Sequence, residues 1–259
     1  MEIEVKEIKV NSLIGRSSIA DYCINPYIGC QHACKYCYAN FYTKKIYGIK
    51  KQWGSYVYVK INYLDLLKRE ILLKKRGCIY ISSLTDAYQP IEKKYKIMRK
   101  ILEILQIHQW PIIIQTKSSL VLRDFDLISK FKRPRVGVTV ISLNSDISKR
   151  YEPLADSIDK RLNVIKEAKE NKIENYVFVG PILPFTDFKE ITDLIIFTKE
   201  YCNFFYFDKF NIKPDLLEFL EKEFLKEKTL NDMEKYYEEV KKKIKEFCIK
   251  NKINFEVLF

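Results

Sequence analysis

Two spacings of apolar residues alternate along most of the chain. Short apolar runs typical of buried strands are separated by stretches whose apolar residues recur every three or four positions, as on one face of a helix. The predicted strands cover residues 21–27, 78–84, 111–115, 136–141, 176–179 and 204–207. The predicted helices cover residues 39–47, 64–76, 91–105, 124–131, 157–171 and 187–200. Strands and helices in this alternation predict an α/β fold with a parallel sheet and right-handed crossovers.

The two ends of the chain differ from this regular part. Residues 1–21 read as an extended lead-in, and residues 56–61 alternate like one more short strand. Beyond residue 212, Leu230, Met233, Val240, Ile244 and Phe247 mark a long amphipathic helix, and residues 253–259 could form a strand. We therefore divide the chain into a domain over 1–212, which includes the lead-in, and a C-terminal extension over 213–259 that packs on it.

The composition is that of a globular domain. The chain has 259 residues, of which 47% are hydrophobic and 31% charged, and no run of about 18 apolar residues occurs. The N-terminal sequence MEIEVKEIKV has no apolar core of a signal peptide. These features predict a cytoplasmic protein without a membrane partner, and the seven cysteines then belong to a reducing compartment.

The net charge of +12 favours polyanionic partners, nucleic acid among them. Residues 48–60 mix basic and aromatic side chains that could stack bases and neutralise phosphates, and the C-terminal helix carries a further group of lysines. The alternative is the Lys- and Glu-rich surface typical of a thermophile, because the lysines are spread widely along the chain. The hairpin and helix would then simply be amphipathic elements with solvated faces.

Three cysteines lie close together in the sequence. Cys30, Cys34 and Cys37 form a C-x3-C-x2-C triplet, and soft sulfur ligands at such spacing select zinc or an iron–sulfur cluster. Structural zinc usually takes four ligands in two separated pairs; His32 is a candidate fourth ligand, but it lies only two residues from both Cys30 and Cys34. Three thiolates without a fourth indicate a [4Fe-4S] cluster with one open iron, while chance spacing remains an alternative. The other cysteines are interpreted as small buried hydrophobic residues: Cys23, Cys78, Cys202 and Cys248.

The stretch YCINPYIGCQHACKYCYANF resembles the signature of radical S-adenosylmethionine (radical SAM) enzymes. The resemblance implies a partial (β/α)6 TIM-like barrel in which the open iron is chelated by the methionine part of S-adenosylmethionine. It further implies reductive cleavage of that cofactor to a 5′-deoxyadenosyl radical, which abstracts a hydrogen atom from a substrate. The electron would come from an external one-electron donor of the flavodoxin or ferredoxin type.

Polar residues follow the predicted strands at the edge where chemistry collects in barrels and open α/β sheets. Thr85 and Asp86 could accept hydrogen bonds from the methionyl ammonium, and Lys117 could donate to its carboxylate. Ser142 suits a ribose hydroxyl, and Gly180 would let the backbone approach the adenine. Each residue alone is equally typical of a turn.

The pattern over residues 20–190 is similar to the spore photoproduct lyase-like branch, whose members are often described as DNA repair photolyases. The similarity is carried by CQHACKYCYA, SSLTDAYQPIE, QTKSSLVLRDFDLI, ISL, RYEP and VGPILP. By this resemblance Cys30, Cys34 and Cys37 bind the cluster, and Tyr36 and Tyr38 lie near the cofactor or the radical path. Spore photoproduct lyase has a hydrogen-donating cysteine just before the pair that matches Thr85–Asp86.

That cysteine has no counterpart here, because Ser83 and Leu84 occupy its neighbourhood and Cys78 lies one strand length earlier. Thymine-dimer repair by the same route is therefore not expected. Nucleic acid stays one predicted substrate class, and a peptide or small molecule is the alternative. A zinc-stabilised nucleic-acid-binding module is the alternative that is not an enzyme.

Overall fold

A parallel sheet forms the centre of the protein. The structure, a computed structural model, describes residues 3–259. Its strands are β1 (Glu4–Ile8), β2 (Ile14–Arg16), β3 (Tyr22–Ile24), β4 (Tyr27–Ile28), β5 (Tyr56–Lys60), β6 (Ile79–Ile81), β7 (Ile112–Thr116), β8 (Pro134–Thr139), β9 (Glu174–Ile182), β10 (Phe204–Lys209) and β11 (Phe255–Val257). Eight of them form one sheet in the order β11-β10-β9-β8-β7-β6-β3-β2. All neighbours in this sheet are parallel except β2, which runs antiparallel to β3.

Helices connect the strands of the sheet. They are α1 (Ala39–Tyr47), α2 (Tyr63–Leu73), α3 (Glu92–Tyr95), α4 (Ile97–Ile107), α5 (Phe125–Ile128), α6 (Ser145–Tyr151), α7 (Ile158–Glu170), α8 (Phe188–Thr198), α9 (Leu217–Leu220) and α10 (Leu230–Lys250). The central strands of this sheet bury apolar side chains; on β7, for example, Ile112 and Ile114 are completely buried. Successive strand residues point to opposite faces, so the other face presents residues such as Gln115 that are only half-buried.

A second, three-stranded sheet carries the start of the chain. Its order is β1-β5-β4, with β1 parallel and β4 antiparallel to β5. The predicted lead-in is thus extended, as expected over its described part; residues 1 and 2 lie outside the described residues. The predicted strand at 56–61 is confirmed as β5.

The predicted α/β class is confirmed, and all six predicted strands are present as β3, β6, β7, β8, β9 and β10. Three predictions differ in detail. The strand predicted over 21–27 is divided into β3 of the eight-stranded sheet and β4 of the three-stranded sheet. The single helix predicted over 91–105 is divided into α3 and α4, because Lys96 between them adopts a left-handed φ of 51°. Strand β9 continues past residue 179 to Ile182, so Gly180 lies within the strand and not after it.

The C-terminal part of the chain joins the same sheet. Strand β11 pairs with β10 as a further parallel strand, and α10 packs against α8 and β11. The division at residue 212 stays a prediction. Over residues 3–259 none of the helices combines the length and apolar character needed to cross a bilayer.

Candidate functional site

The cysteine triplet lies in a compact loop between β4 and α1. Two backbone turns shape it: the Ala33 amide donates to the Cys30 carbonyl at 3.4 Å, and the Cys37 amide donates to the Cys34 carbonyl at 3.2 Å. Gly29 enters the loop with a φ of +87°, and a Cβ there would lie 2.4 Å from the Tyr56 carbonyl oxygen. Only glycine permits this conformation so close to β5, so the loop is pinned against the small sheet.

The three thiols are withdrawn from water and interact electrostatically. Cys30 and Cys34 are buried and Cys37 is half-buried. Burial raises the pKa of all three thiols, that of Cys34 to about 12, and charge on Cys34 and Cys37 raises the pKa of Cys30 further. Thiols with raised pKa values become thiolates only when a cation compensates their charge. The donor set therefore fits an iron–sulfur cluster, which takes thiolate ligands and supplies positive iron.

The zinc alternative fits this geometry less well. Within residues 3–259, no three His, Cys, Asp or Glu side chains converge closely enough to ligate a single metal ion. A zinc site needs its ligands within about 2.0–2.3 Å of one centre, whereas cysteines of a cluster bind different iron atoms and stand further apart. His32, the candidate fourth ligand, directs Nε2 at Asp86 Oδ2 at 3.2 Å.

The buried Asp86 ties the cysteine loop to β7. Its carboxylate accepts hydrogen bonds from the Thr116 hydroxyl at 2.8 Å and from the amides of Lys117 at 2.8 Å and Tyr88 at 2.9 Å. Burial alone would raise the pKa of Asp86, but the contact with His32 and these hydrogen bonds outweigh it and lower the pKa to about 2. Both oxygens are therefore engaged within the protein, and Asp86 holds the loop in place.

Thr85 and Gln89 hold the same loop through hydrogen bonds to its backbone. The Thr85 hydroxyl donates to the Gly29 carbonyl at 2.6 Å and accepts from Gln89 Nε2 at 2.9 Å. Gln89 Oε1 in turn accepts from the Gln31 amide at 2.8 Å. The segment after β6 thus fixes the backbone on both sides of Cys30.

A buried charge network lies behind the loop. The Tyr36 hydroxyl donates to Glu152 Oε1, and Glu152 Oε2 lies 2.5 Å from Arg161 Nη1. Lys117 Nζ lies 5.7 Å from the centre of the Tyr36 ring. Burial opposes the charge of Lys117, but negative charge on Cys34 and Glu152 outweighs burial and raises the pKa of Lys117. The charges of Lys117 and Arg161 lower the pKa of Cys34 and so partly offset its burial, while the charge of Glu152 adds to the effect of burial.

The remaining predicted residues are Tyr38, Ser142 and Gly180, and each has its own contacts. The Tyr38 hydroxyl donates to the Ser83 carbonyl at 2.9 Å, and burial raises the pKa of Tyr38. The Ser142 hydroxyl donates to Glu190 of α8 at 3.1 Å and so is not hydrogen-bonded to the loop. Gly180 faces Phe178, because a Cβ there would lie 2.1 Å from a ring carbon.

Four residues of this site received no role from the sequence. Gln89 and Glu152 lie in segments that follow strands, and Arg161 occupies the apolar face of α7, where a charge is unusual and could have drawn notice. Asp208 near the end of β10 is half-buried, and burial raises its pKa to about 6; its charge also acts on Tyr38. Asp208 directly follows the sixth predicted strand, the same kind of position as the other candidate residues.

Known protein families and relatives share the sequence of this site and its surroundings. A family model described as "Radical SAM superfamily" matches residues 24–197. The uncharacterized protein MJ0683 of Methanocaldococcus jannaschii is 44% identical over 215 residues, covering 82% of this chain and 80% of that protein. The uncharacterized protein ORF301 of Acidianus two-tailed virus is 31% identical over 182 residues, covering 67% of this chain and 60% of that protein.

Solved structures share the fold at low sequence identity. A mutant spore photoproduct lyase with bound AdoMet and dinucleoside spore photoproduct superposes with a TM-score of 0.67 at 15% identity, covering 84% of this chain and 65% of that chain. Streptococcus suis SuiB bound to S-adenosylmethionine gives a TM-score of 0.63 at 12% identity, covering 100% of this chain and 51% of that chain. These similarities confirm that the open parallel sheet is a partial (β/α)6 barrel.

Proposed function

The chain belongs to the radical SAM superfamily, and from that premise we propose that Cys30, Cys34 and Cys37 hold a [4Fe-4S] cluster at which S-adenosylmethionine is cleaved reductively. When bound, the two groups together supply a 5′-deoxyadenosyl radical that abstracts a hydrogen atom from a substrate. The observation that carries the proposal is the set of three thiols, two buried and one half-buried, in a loop held by the residues that follow β6 and β7. The residues of the chain itself would bind and orient the two groups and exclude water from them.

The roles of the surrounding residues follow from their contacts. Lys117 Nζ makes no hydrogen bond among the residues that the structure describes, so its ammonium is available for the carboxylate of the methionyl group. Thr85 and Asp86 contribute by fixing the cysteine loop, since their side chains are already engaged with it and with β7. Contacts of Thr85, Asp86, Ser142 and Gly180 with S-adenosylmethionine itself stay predictions, as does a place for Tyr36 and Tyr38 on the radical path.

We propose nucleic acid as the substrate class, supported by the net charge of +12. One solved relative is a spore photoproduct lyase complexed with a dinucleoside, and another, SuiB, is bound to a precursor peptide, so a peptide is the second candidate. Cys78 precedes β6 at the end of the strand remote from Thr85, which argues against Cys78 as a hydrogen donor. Binding to nucleic acid that weakens steeply with salt would favour the first class.

Anaerobic reconstitution tests the proposal. The purified protein should take up about four irons per chain and become brown, and dithionite with S-adenosylmethionine should yield 5′-deoxyadenosine. Cys34→Ala should lose both the iron and the product. The matched control is Cys78→Ala, which removes a half-buried thiol outside the loop and should retain both. A Cys34→Ala variant that keeps its iron would refute the assignment, and zinc in place of iron would favour the binding module.

A further inference from the structure

A cavity of about 310 Å³ opens beside the cysteine loop. Its lining includes His32, Pro90, Lys93, Arg123, Leu154, Asp156 and Lys160. His32 lies between Cys30 and Cys34 in the sequence, so the cysteine loop forms part of the cavity wall.

One residue links the protein surface to that loop. Leu154 is 52% exposed, yet its backbone bonds His32 twice. The Leu154 amide donates to the His32 carbonyl at 3.3 Å, and His32 Nδ1 lies 3.1 Å from the Leu154 carbonyl oxygen. A molecule bound on Leu154 is therefore only one residue away from the loop, because Leu154 is hydrogen-bonded directly to His32 between Cys30 and Cys34.

The surface around Leu154 combines apolar and basic side chains. Leu154, Pro90, Lys93 and Lys160 are all exposed, and all four line the cavity. Neither lysine forms an ion pair or side-chain hydrogen bond with any residue from 3 to 259. Arg123, by contrast, is held by Glu92 and Asp124 at 2.7 Å and 2.8 Å. We call Pro90, Lys93, Leu154 and Lys160 the His32-side surface.

We propose that the His32-side surface is the docking site of an acidic one-electron carrier protein. The proposal rests on the proposed function, which requires an electron from an external donor before S-adenosylmethionine can be cleaved. The carrier is oxidised by one electron, and that electron is consumed in breaking the carbon–sulfur bond that releases methionine. The carrier docks at this surface because the path from protein exterior to cysteine loop is short here.

The chemistry of the surface fits such a carrier better than it fits nucleic acid. Electron-transfer complexes use small interfaces, and the centre of an interface is depleted of charge while its rim is polar. Two unpaired lysines beside exposed apolar side chains match a partner whose interface carries both acidic and apolar side chains. Nucleic acid calls for a continuous basic track, whereas this surface mixes two lysines with exposed Leu154 and Pro90.

The test compares two sources of electrons on one double variant, Lys93→Glu/Lys160→Glu. A purified acidic flavodoxin is the probe, and its binding to the enzyme is measured by calorimetry at low and high salt. The double variant should bind flavodoxin at least about tenfold more weakly than the unmodified enzyme, because two attractive contacts become repulsive. Formation of 5′-deoxyadenosine should fall by a similar factor with reduced flavodoxin and stay within about twofold with dithionite, which needs no docking site.

The control is Lys243→Glu/Lys245→Glu, which changes the net charge equally on exposed positions of α10. It should retain flavodoxin binding. Equal binding by the Lys93→Glu/Lys160→Glu variant and the unmodified enzyme would overturn the proposal, as would loss of oligonucleotide binding alone in that variant. Absence of 5′-deoxyadenosine with dithionite in the unmodified enzyme would instead refute the proposed function, while the calorimetry still decides the docking site.

Discussion

Arg161 and Glu152 show how much the site depends on single buried charges. Both side chains are fully buried, and they meet within hydrogen-bond distance. Arg161 also donates to the Thr139 carbonyl at 3.1 Å and the Asp156 carbonyl at 2.8 Å, while Glu152 accepts from Tyr36. Burying both charges is costly, but removing only one leaves the other without compensation. The pair thus fixes the position of Tyr36 between two of the cysteines.

We therefore expect Arg161→Met to lower the free energy of unfolding by about 3–5 kcal/mol. The cost arises from an unpaired carboxylate left in the interior. The double variant Arg161→Met/Glu152→Gln should recover more than half of that loss, because neither partner of the buried pair is left with an uncompensated charge. Urea unfolding of the metal-free protein, followed by circular dichroism, measures both values without interference from a cluster. A single variant as stable as the unmodified protein would show that the pair is open to water.

At the scale of elements, close packing between neighbouring strands sets the shape of the sheet. Gly137 of β8 lies opposite Tyr176 of β9, and the tyrosine ring covers the glycine. The Tyr176 ring is held on two sides. The Arg135 guanidinium lies 5.7 Å from the ring centre, and the Tyr176 hydroxyl donates to Gln115 at 3.2 Å. The ring therefore cannot turn aside to admit a larger residue.

Gly137→Ala should destabilise the protein by about 1–3 kcal/mol, the usual cost of overpacking a well-filled interior. The added Cβ would lie 2.2 Å from two ring carbons of Tyr176. Gly15→Ala in β2 is the matched control, because its Cβ would meet Cys23 Sγ at an ordinary 3.6 Å. Thermal unfolding should separate the two variants by several degrees, with Gly15→Ala close to the unmodified protein. Equal midpoints would mean that the Tyr176 ring moves.

The local pattern of apolar residues predicts the positions of helices and strands well, but it does not predict where an element breaks or where it ends. The short apolar runs located β6, β7 and β8 because buried strands contrast sharply with the polar residues around them. It could not reveal the break at Lys96, since a left-handed residue leaves the helical spacing on either side intact. Nor could it end β9 correctly, because Gly180 and Pro181 suggest a turn where the pairing with β10 continues to Ile182.

The same contrast holds for the site. The cysteine triplet is a local feature, and its chemistry follows from spacing alone. The network behind it is not local: Tyr36 and Glu152 are 116 residues apart, and Gln31 meets Gln89 across 58 residues. Their contacts depend on how parallel strands place their ends side by side, which the sequence specifies only through the whole fold.

At the scale of the whole molecule, the C-terminal segment is bound into the barrel. Strand β11 pairs with β10 along residues 205–207, and the Tyr237 hydroxyl of α10 donates to the Ile182 carbonyl at 2.8 Å. Five side chains of α10 are buried: Met233, Tyr237, Val240, Ile244 and Cys248. The predicted boundary at residue 212 thus separates segments that share both a sheet and a core.

A fragment ending at residue 212 should consequently fail to fold on its own. Burial of each large apolar side chain is worth about 1.5–3 kcal/mol, so losing the buried face of α10 removes a sum comparable to the entire stability of a typical domain, about 5–15 kcal/mol. The 1–212 fragment is compared with a nicked form of the full chain. In that form a protease site is inserted after Glu227, in the exposed stretch between α9 and α10, and the chain is cut there after folding. The nicked protein keeps every contact and should give the circular dichroism spectrum of the intact chain, whereas the 1–212 fragment should be degraded rapidly by dilute protease. A fragment that resists protease and unfolds cooperatively would establish residues 213–259 as a separable extension.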